Sequence, residues 1–217
     1  MRIVTRMTIG TAIGSVPGLN RWWISAPVAG IALGVLTNLA QGGLPGASNQ
    51  IANSGAVWCV PAFTAGALAA AGHLALRKSV LAGLGTTIGL VVGYYGCAEF
   101  GRSGMGGPFW PAVWLVMALV SGPLFGAAGA WWRRGHTARR RVVGLAALAD
   151  VFGTEAILAG QVLHYAGQAW TCAALLVLIP LVMARGHRER ALTLLVALPL
   201  SVVAYVVVEL PLQHVSA

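Results

Sequence analysis

Carboxyl groups inside long apolar runs are the residues of this sequence best suited to chemistry. The chain has only five acidic residues among 217, and Glu99, Asp150 and Glu155 lie within or at the end of such runs. An ionisable group in an apolar environment costs free energy, so its presence there indicates a function. The sequence therefore predicts a proton-transfer residue, a general acid, among these three carboxyls.

Asp150 and Glu155 occupy the same apolar stretch. On a helix that begins near Val142, they would lie about 12 Å and about 20 Å along the axis, because each residue adds about 1.5 Å. Their side chains would point about 140° apart, so one helix cannot present both to a single small site without help. The alternative role for each is a buried carboxyl that is hydrogen-bonded to neighbouring helices.

Glu99 has a simpler structural alternative, an ion pair at the end of its helix. It lies in Tyr94-Tyr95-Gly-Cys-Ala-Glu-Phe-Gly-Arg, so Arg102 follows three residues later on the same helix face. Of the remaining acidic residues, Glu189 lies in an arginine-rich loop and is interpreted as a solvated partner of those arginines. Glu209 ends the last apolar run and is interpreted as a boundary residue.

An amide-rich segment and several aromatic rings could line a binding site. Neutral amides can hold a carboxyl, a carbonyl or water without the cost of a buried charge, and the faces of aromatic rings stabilise cations. The alternatives are a loop with Ser54 or Asn53 as a helix N-cap, and ordinary core packing of the rings. The predicted substrate-binding residues are Asn38, Gln41, Asn49, Asn53, Trp58, Tyr94, Tyr95 and Trp114.

Several chemistries are excluded by missing motifs. The sequence has no Asp-Asp-x-x-Asp for magnesium, no CxxC and no His/Glu cluster with metal-ligand spacing. It also lacks GxSxG, HExxH and a P-loop. No metal ion and no cofactor are therefore predicted.

Composition indicates that this chemistry would take place in a membrane. Apolar residues make up 58% of the chain and charged residues 9%, with a mean hydropathy of +0.79. Those values exclude a soluble globular enzyme and favour a polytopic bundle of seven transmembrane helices in the plasma membrane, with the lipid bilayer as its partner. The predicted spans are 22–41, 54–76, 80–98, 109–132, 142–164, 168–184 and 191–210.

The basic residues predict the orientation of the bundle. All of the 14 lysines and arginines except Arg102 fall before span one or in the loops on that same side. The positive-inside rule therefore places the N-terminus in the cytoplasm and the C-terminus outside. The net charge of +9 is explained by these loops, so no nucleic acid partner is predicted. We expect a cytoplasmic or interfacial segment 1–21, a seven-helix domain 22–210 and a short extracytoplasmic tail 211–217.

Glycines recur at four-residue spacing inside the spans, as at Gly30 and Gly34 and at Gly89 and Gly93. Small residues at this spacing allow the backbones of two helices to approach closely. The pattern predicts tight helix pairs, while a substrate groove floored by glycines is the less favoured alternative.

Three segments resemble a family of small actinobacterial integral membrane proteins, most of them without an assigned function. These are residues 35–58 (VLTNLAQGGLPGASNQIANSGAVW), 93–102 (GYYGCAEFGR) and 122–134 (GPLFGAAGAWWRR), within a similarity that runs from about residue 25 to 210. Within that family the chain resembles the membrane-bound terpene cyclases of drimentine-type pathways, which cyclise the farnesyl chain of prenylated indole diketopiperazines. No motif carries individual catalytic residues across.

The resemblance implies a type II terpene cyclase, which protonates an alkene or epoxide and guides a carbocation to ring closure. A lipophilic prenylated molecule would be the substrate, and Asp150, Glu155 or Glu99 the proton donor. One alternative is a transporter or channel for a small solute or protons that uses the same carboxyls as a relay. Another is a non-catalytic membrane scaffold. The sequence does not predict an oligomeric state.

Overall fold

The computed structural model of the chain describes residues 21–44, 52, 54–71, 75–102, 104 and 106–216. All regular secondary structure among these residues is helical, which confirms the all-helical part of the predicted fold class. The helices are α1 Trp22–Gly43, α2 Gly55–Ala69, α3 Ala75–Gly101, α4 Phe109–Arg134, α5 Ala138–Gln161, α6 Ala166–Met183, α7 His187–Ala204 and α8 Leu210–Ser216. A single π-helical turn, Tyr205–Glu209, joins α7 to α8 without a break.

Each of the seven predicted spans contains a helix, and in the described part of the chain six helices are long and apolar enough to cross a membrane by themselves. The exception is α2, which has 15 residues and extends about 22 Å, against a hydrocarbon core of about 30 Å. The prediction of a full-length second span at 54–76 is therefore wrong. That apolar run joins α2 to the first residues of α3, Ala75 and Leu76, and hydropathy does not register the boundary between them.

The helices form two groups that meet along α5. In the first group, α1 packs along α3, α3 packs along α4, and α2 lies against both α3 and α4. In the second group, α6 and α7 both pack against α5 and only slightly against each other. Contacts of α5 with α4 and α2 join the two groups, so α5 and α2 are the elements at the centre of the bundle.

Glycines allow α1 and α3 to lie backbone against backbone, as their spacing predicted. A Cβ atom on Gly34 would collide with the carbonyl oxygen of Leu90, and one on Gly93 would collide with the carbonyl oxygen of Ile31. Because both collisions involve backbone atoms, no side-chain movement could relieve them. The same kind of contact joins α3 to α4, where a Cβ on Gly83 would meet the carbonyl oxygen of Gly122.

Polar contacts of arginine side chains connect the helices at one end of the bundle. The Arg133 guanidinium donates to the carbonyl oxygen of Ala67 near the end of α2, at 2.9 Å. Arg141 at the start of α5 forms an ion pair with Glu189 at the start of α7. Glu189 therefore pairs with an arginine of a neighbouring helix, in addition to accepting from the backbone N–H of Arg185. We call this end of the molecule the basic end.

We expect Gly93→Ala to destabilise the bundle and Gly96→Ala to leave its stability unchanged or slightly raised. The first substitution forces α1 away from α3 and should cost about 1–3 kcal/mol, the range for an overpacked interior. The second places its methyl group in open space on the same helix, where Ala is preferred over Gly by about 0.5–1 kcal/mol. Thermal unfolding of the purified variants in detergent measures both effects. Equal melting temperatures of the two variants would contradict the close backbone contact between α1 and α3.

Candidate functional site

The carboxyl of Glu155 caps the N-terminus of α2. Its Oε1 accepts a hydrogen bond from the backbone N–H of Gly55, the first residue of that helix, and the side chain is almost fully buried. The first N–H groups of a helix have no partner within the helix. The positive end of the helix dipole also lies there and favours a negatively charged partner. Ser54, which the sequence offered as an N-cap, makes no capping hydrogen bond through its side chain.

One more acidic side chain and two thiols interact electrostatically with this carboxyl. Glu209, on the π turn after α7, lies within electrostatic reach of Glu155, and so does Cys172 on α6. Cys59, one turn beyond Gly55 on α2, interacts electrostatically with both Asp150 and Glu155. The site at Glu155 is therefore built from α2, α5, α6 and the π turn.

Asp150 lies one and a half turns before Glu155 and is half-buried. Its backbone carbonyl accepts hydrogen bonds from the Thr154 and Ser201 hydroxyls, at 3.0 and 3.2 Å. Thr154 also donates to the carbonyl oxygen of Ser201, at 3.2 Å, so this part of α5 is fixed to α7. These hydrogen bonds fix α5 against α7 at Asp150 and at Thr154, which is next to Glu155.

The four predicted substrate-binding rings come together between α2, α3 and α4. Trp58 stacks on Trp114 with ring centroids 5.4 Å apart, and it meets Tyr94 at 5.9 Å. Tyr94 in turn contacts Tyr95 edge to face, at 5.1 Å. Trp58 is buried, and its indole N–H has no hydrogen-bond partner within the described part of the chain.

Two of the amides predicted to bind substrate, Asn38 and Gln41, form hydrogen bonds within the protein. The Tyr94 hydroxyl donates to the Gln41 side-chain oxygen, and the Asn38 amide donates to the carbonyl oxygen of Tyr94 at 3.2 Å. Arg102 donates to the backbone oxygen and the side-chain oxygen of Asn38, at 3.1 and 3.3 Å. These contacts join the outer ends of α1 and α3, so Asn38 and Gln41 orient Tyr94.

The remaining predicted residues are apart from Glu155 or outside the described structure. Glu99 is exposed near the end of α3, beside Gly104 of the following loop. Asn49 and Asn53 lie outside the described residues. Within the ranges that are described, no three His, Cys, Asp or Glu side chains are arranged to hold a metal ion.

Two contributors to the site were missed by the sequence analysis. The Gly55 N–H leaves no signal in sequence, because every residue except proline has such a donor. Glu209 was interpreted as a boundary residue, although it is the last acidic residue of an otherwise apolar segment. The position of Glu209 as a lone acidic residue was the available signal, but the residue types do not predict the π turn on which it lies.

Comparison with known proteins identifies a family but no function. A family model described as a family of unknown function (DUF6518) matches residues 17–214. The chain therefore belongs to that family, which agrees with the predicted membership of a group without an assigned function. It matches no curated protein and no solved structure.

We expect Glu155→Leu to destabilise the protein and Glu155→Gln to preserve most of its stability. Leucine removes the acceptor and leaves the Gly55 N–H buried without a partner, at a cost of about 1–3 kcal/mol. Glutamine keeps an oxygen in the same position. Thermal unfolding in detergent distinguishes the two variants, and an equal loss from both would show that the charge matters more than the hydrogen bond.

Proposed function

We propose that this member of the family is a membrane-embedded type II terpene cyclase. Glu155 donates a proton to an alkene, or an epoxide, of the farnesyl chain of a prenylated small molecule. The aromatic cluster of Trp58, Tyr94, Tyr95 and Trp114 then stabilises the carbocation as the chain closes into rings. The protein needs neither a metal ion nor a cofactor for this reaction.

The observation that carries the proposal is the position of both groups at one turn of α2. Glu155 caps the helix at Gly55, and Trp58 belongs to the first turn that follows. Side chains on a helix lean toward its N-terminus, so the Trp58 ring reaches back toward the level of Gly55. The proposed acid and the proposed cation-stabilising wall therefore lie at a similar depth, on different sides of the same helix end.

The cap also addresses a chemical difficulty of alkene protonation. A carboxyl group in an apolar environment keeps its proton, because the charged form is poorly solvated there. The same effect makes it a weak acid, whereas an alkene needs a strong one. The Gly55 N–H and the positive end of the α2 dipole stabilise the carboxylate that remains after the proton has left. They therefore stabilise the state after proton transfer, in which the negative charge is on Glu155.

The proton balance of the reaction is closed. The Glu155 carboxyl gives its proton to one alkene carbon, whose π electrons form the new C–H bond and leave a cation on the neighbouring carbon. The next alkene attacks this cation and forms a carbon–carbon bond. Loss of a proton from the final cation forms a new alkene, and a proton returned to Glu155 restores the acid. The product is an isomer of the substrate.

The membrane placement belongs to the same proposal. We place seven crossings in the plasma membrane, and the second is the crossing that contains α2. The distribution of basic residues supports a cytoplasmic N-terminus and an extracytoplasmic C-terminus. A farnesylated substrate would partition into the bilayer and enter between helices, which accounts for an enzyme built inside the membrane.

A proton transporter is the second candidate, and the arrangement of carboxyls favours it specifically. Asp150 and Glu155 lie along α5, and Glu209 continues the series onto the π turn. Carboxyl series of this kind form proton relays in pumps and transporters. Proton flux and cyclisation are therefore the two activities to compare in the same preparation.

We expect membranes that contain the protein to convert a farnesylated indole diketopiperazine to a product of unchanged mass in H₂O. In D₂O the product should gain one carbon-bound deuterium, because the proton that starts cyclisation comes from the enzyme. Mass spectrometry after chromatography measures both. If folded protein converts neither this substrate nor simpler farnesyl compounds, the cyclase proposal fails, and proton flux in liposomes decides between transport and a scaffold.

Matched substitutions identify the acid. We expect Glu155→Gln to abolish conversion, by at least about 100-fold, since removal of a general acid typically costs 10²–10⁴-fold. Glu99→Gln makes the same chemical change at an exposed carboxyl near the end of α3 and should retain activity. If Glu99→Gln or Asp150→Asn abolished conversion while Glu155→Gln retained it, the proton donor would be Glu99 or Asp150, whichever substitution caused the loss.

We expect opposite labelling of single cysteines placed at the two ends of the bundle. Ala138 and Ala166 are both exposed at the first residue of a helix, the first at the basic end and the second at the far end of α5. With the native Cys59, Cys97 and Cys172 replaced by serine, a membrane-impermeant maleimide applied to intact cells should label Ala166→Cys and spare Ala138→Cys, and labelling after lysis is the control. The reverse pattern would invert the proposed topology.

A further inference from the structure

An open groove runs between α1 and α2, with α3 as its floor. It exists because α1 and α2 both pack on α3 but scarcely touch each other. Its volume is about 630 Å³, within the range of about 300–1,000 Å³ that accommodates small-molecule ligands. Its lining includes Ala26, Ala29, Ala65, Leu68, Ala82 and Thr86.

The groove is separate from the site at Glu155. The α2 wall of the groove consists of Val60, Pro61, Thr64, Ala65, Leu68 and Ala69. At 100° per residue their mean direction lies about 130° from Gly55, the residue that Glu155 caps. The groove and the carboxyl therefore lie on different faces of α2, and Glu155 is not among the residues that line the groove.

The groove has a charged end and an apolar end. Lys78 lines it at the start of α3, together with Trp22 of α1 and Ala71 just after α2. This is the basic end of the bundle, since Arg133 binds the nearby Ala67 carbonyl. Among the described residues, no carboxylate lies within ion-pair distance of Lys78.

The opposite end of the groove closes at Leu33 and Thr86, inside the bundle. Thr86 lies about 12 Å along α3 from Lys78, which is slightly less than half of a hydrocarbon core of about 30 Å. Leu33 packs against the cluster of side chains around Leu90, which blocks any continuation toward the outer end. The groove thus spans about one leaflet.

We propose that this groove binds an anionic phospholipid of the surrounding bilayer, with one acyl chain along the alanines and the phosphate at Lys78. The dimensions favour a single chain, because a helix about 10 Å wide and 12 Å long would need about 900 Å³. The charge favours an anionic headgroup, since basic pockets between helices on the cytoplasmic side recognise such lipids. The proposal does not rest on the cyclase activity.

The first test compares two neighbouring cations. Native mass spectrometry of the full chain, released from nanodiscs of equal phosphatidylglycerol and phosphatidylcholine, counts the lipids that remain bound. We expect phosphatidylglycerol to be retained by the wild type and reduced about five-fold by Lys78→Gln. Arg77→Gln removes the same charge from an exposed neighbour that does not line the groove, and it should change retention less than two-fold.

Equal losses from the two variants would overturn the proposal, because they would indicate general attraction to the basic end. Retention without preference for phosphatidylglycerol in the wild type would overturn it as well. Ala29→Phe supplies a variant that keeps every charge and fills the groove, and it should abolish retention while the protein stays folded. Circular dichroism and the melting temperature establish that all variants are folded.

The second test identifies the occupant directly. A photoreactive benzoylphenylalanine replaces Leu68, which is exposed and lines the groove, or Leu119, an equally exposed leucine on α4 outside it. We expect an adduct with the mass of one phosphatidylglycerol at position 68 and no such preference at position 119. An adduct at position 68 with a peptide of residues 1–20 or with a second copy of the chain would replace the lipid as the occupant.

Discussion

The hydrogen bond from the Gly55 N–H to Glu155 is the constraint on which the centre of the bundle depends. A helix that ends inside hydrocarbon exposes N–H groups that no water can satisfy, and each unsatisfied group costs several kcal/mol. Because α2 is too short to cross the membrane, another helix must supply the acceptor. Glu155 does so, and this brings α5 against the end of α2, where Cys59 then lies between two carboxyls. A buried carboxyl such as that of Glu155 would be unfavourable alone, but here it caps α2, and the same group is the proposed acid.

The glycine contacts explain why the two sides of α2 differ. Gly34 and Gly93 bring α1 onto α3 at backbone distance, and Gly83 does the same for α3 and α4. Since α1 is held this closely to α3, it cannot also close over α2, and a groove remains between them. On the other side, α5 is held against α4, where a Cβ on Gly144 would meet the carbonyl oxygen of Ala128, and this position leaves it in contact with the end of α2. One face of α2 therefore meets protein, while the other faces a groove lined with alanines.

The sequence predicted the helices well because hydropathy and glycine spacing are local properties of a chain. All seven apolar runs contain helices, and the aromatic residues of the site do form one cluster. The second span failed because an apolar run can cover two helices, as 54–76 does. The partner of Glu155 could not be predicted, since Gly55 is 100 residues away in the chain and its backbone donor has no sequence signal. Asn38 and Gln41 were placed near the correct ring, but their amides hold Tyr94.

The π turn Tyr205–Glu209 makes this region depend on the length of the chain more than on its composition. A π turn holds one residue more than an α turn, and each residue rotates a helix by about 100°. Loss of a single residue between Ser201, which is bonded to α5, and Tyr205 would rotate Glu209 by about 100° away from Glu155. Exchange of one valine for another aliphatic residue would leave the register intact. In this segment, a change in the number of residues moves Glu209 more than a change of residue type does. The spacing along the chain is therefore the property that must be kept.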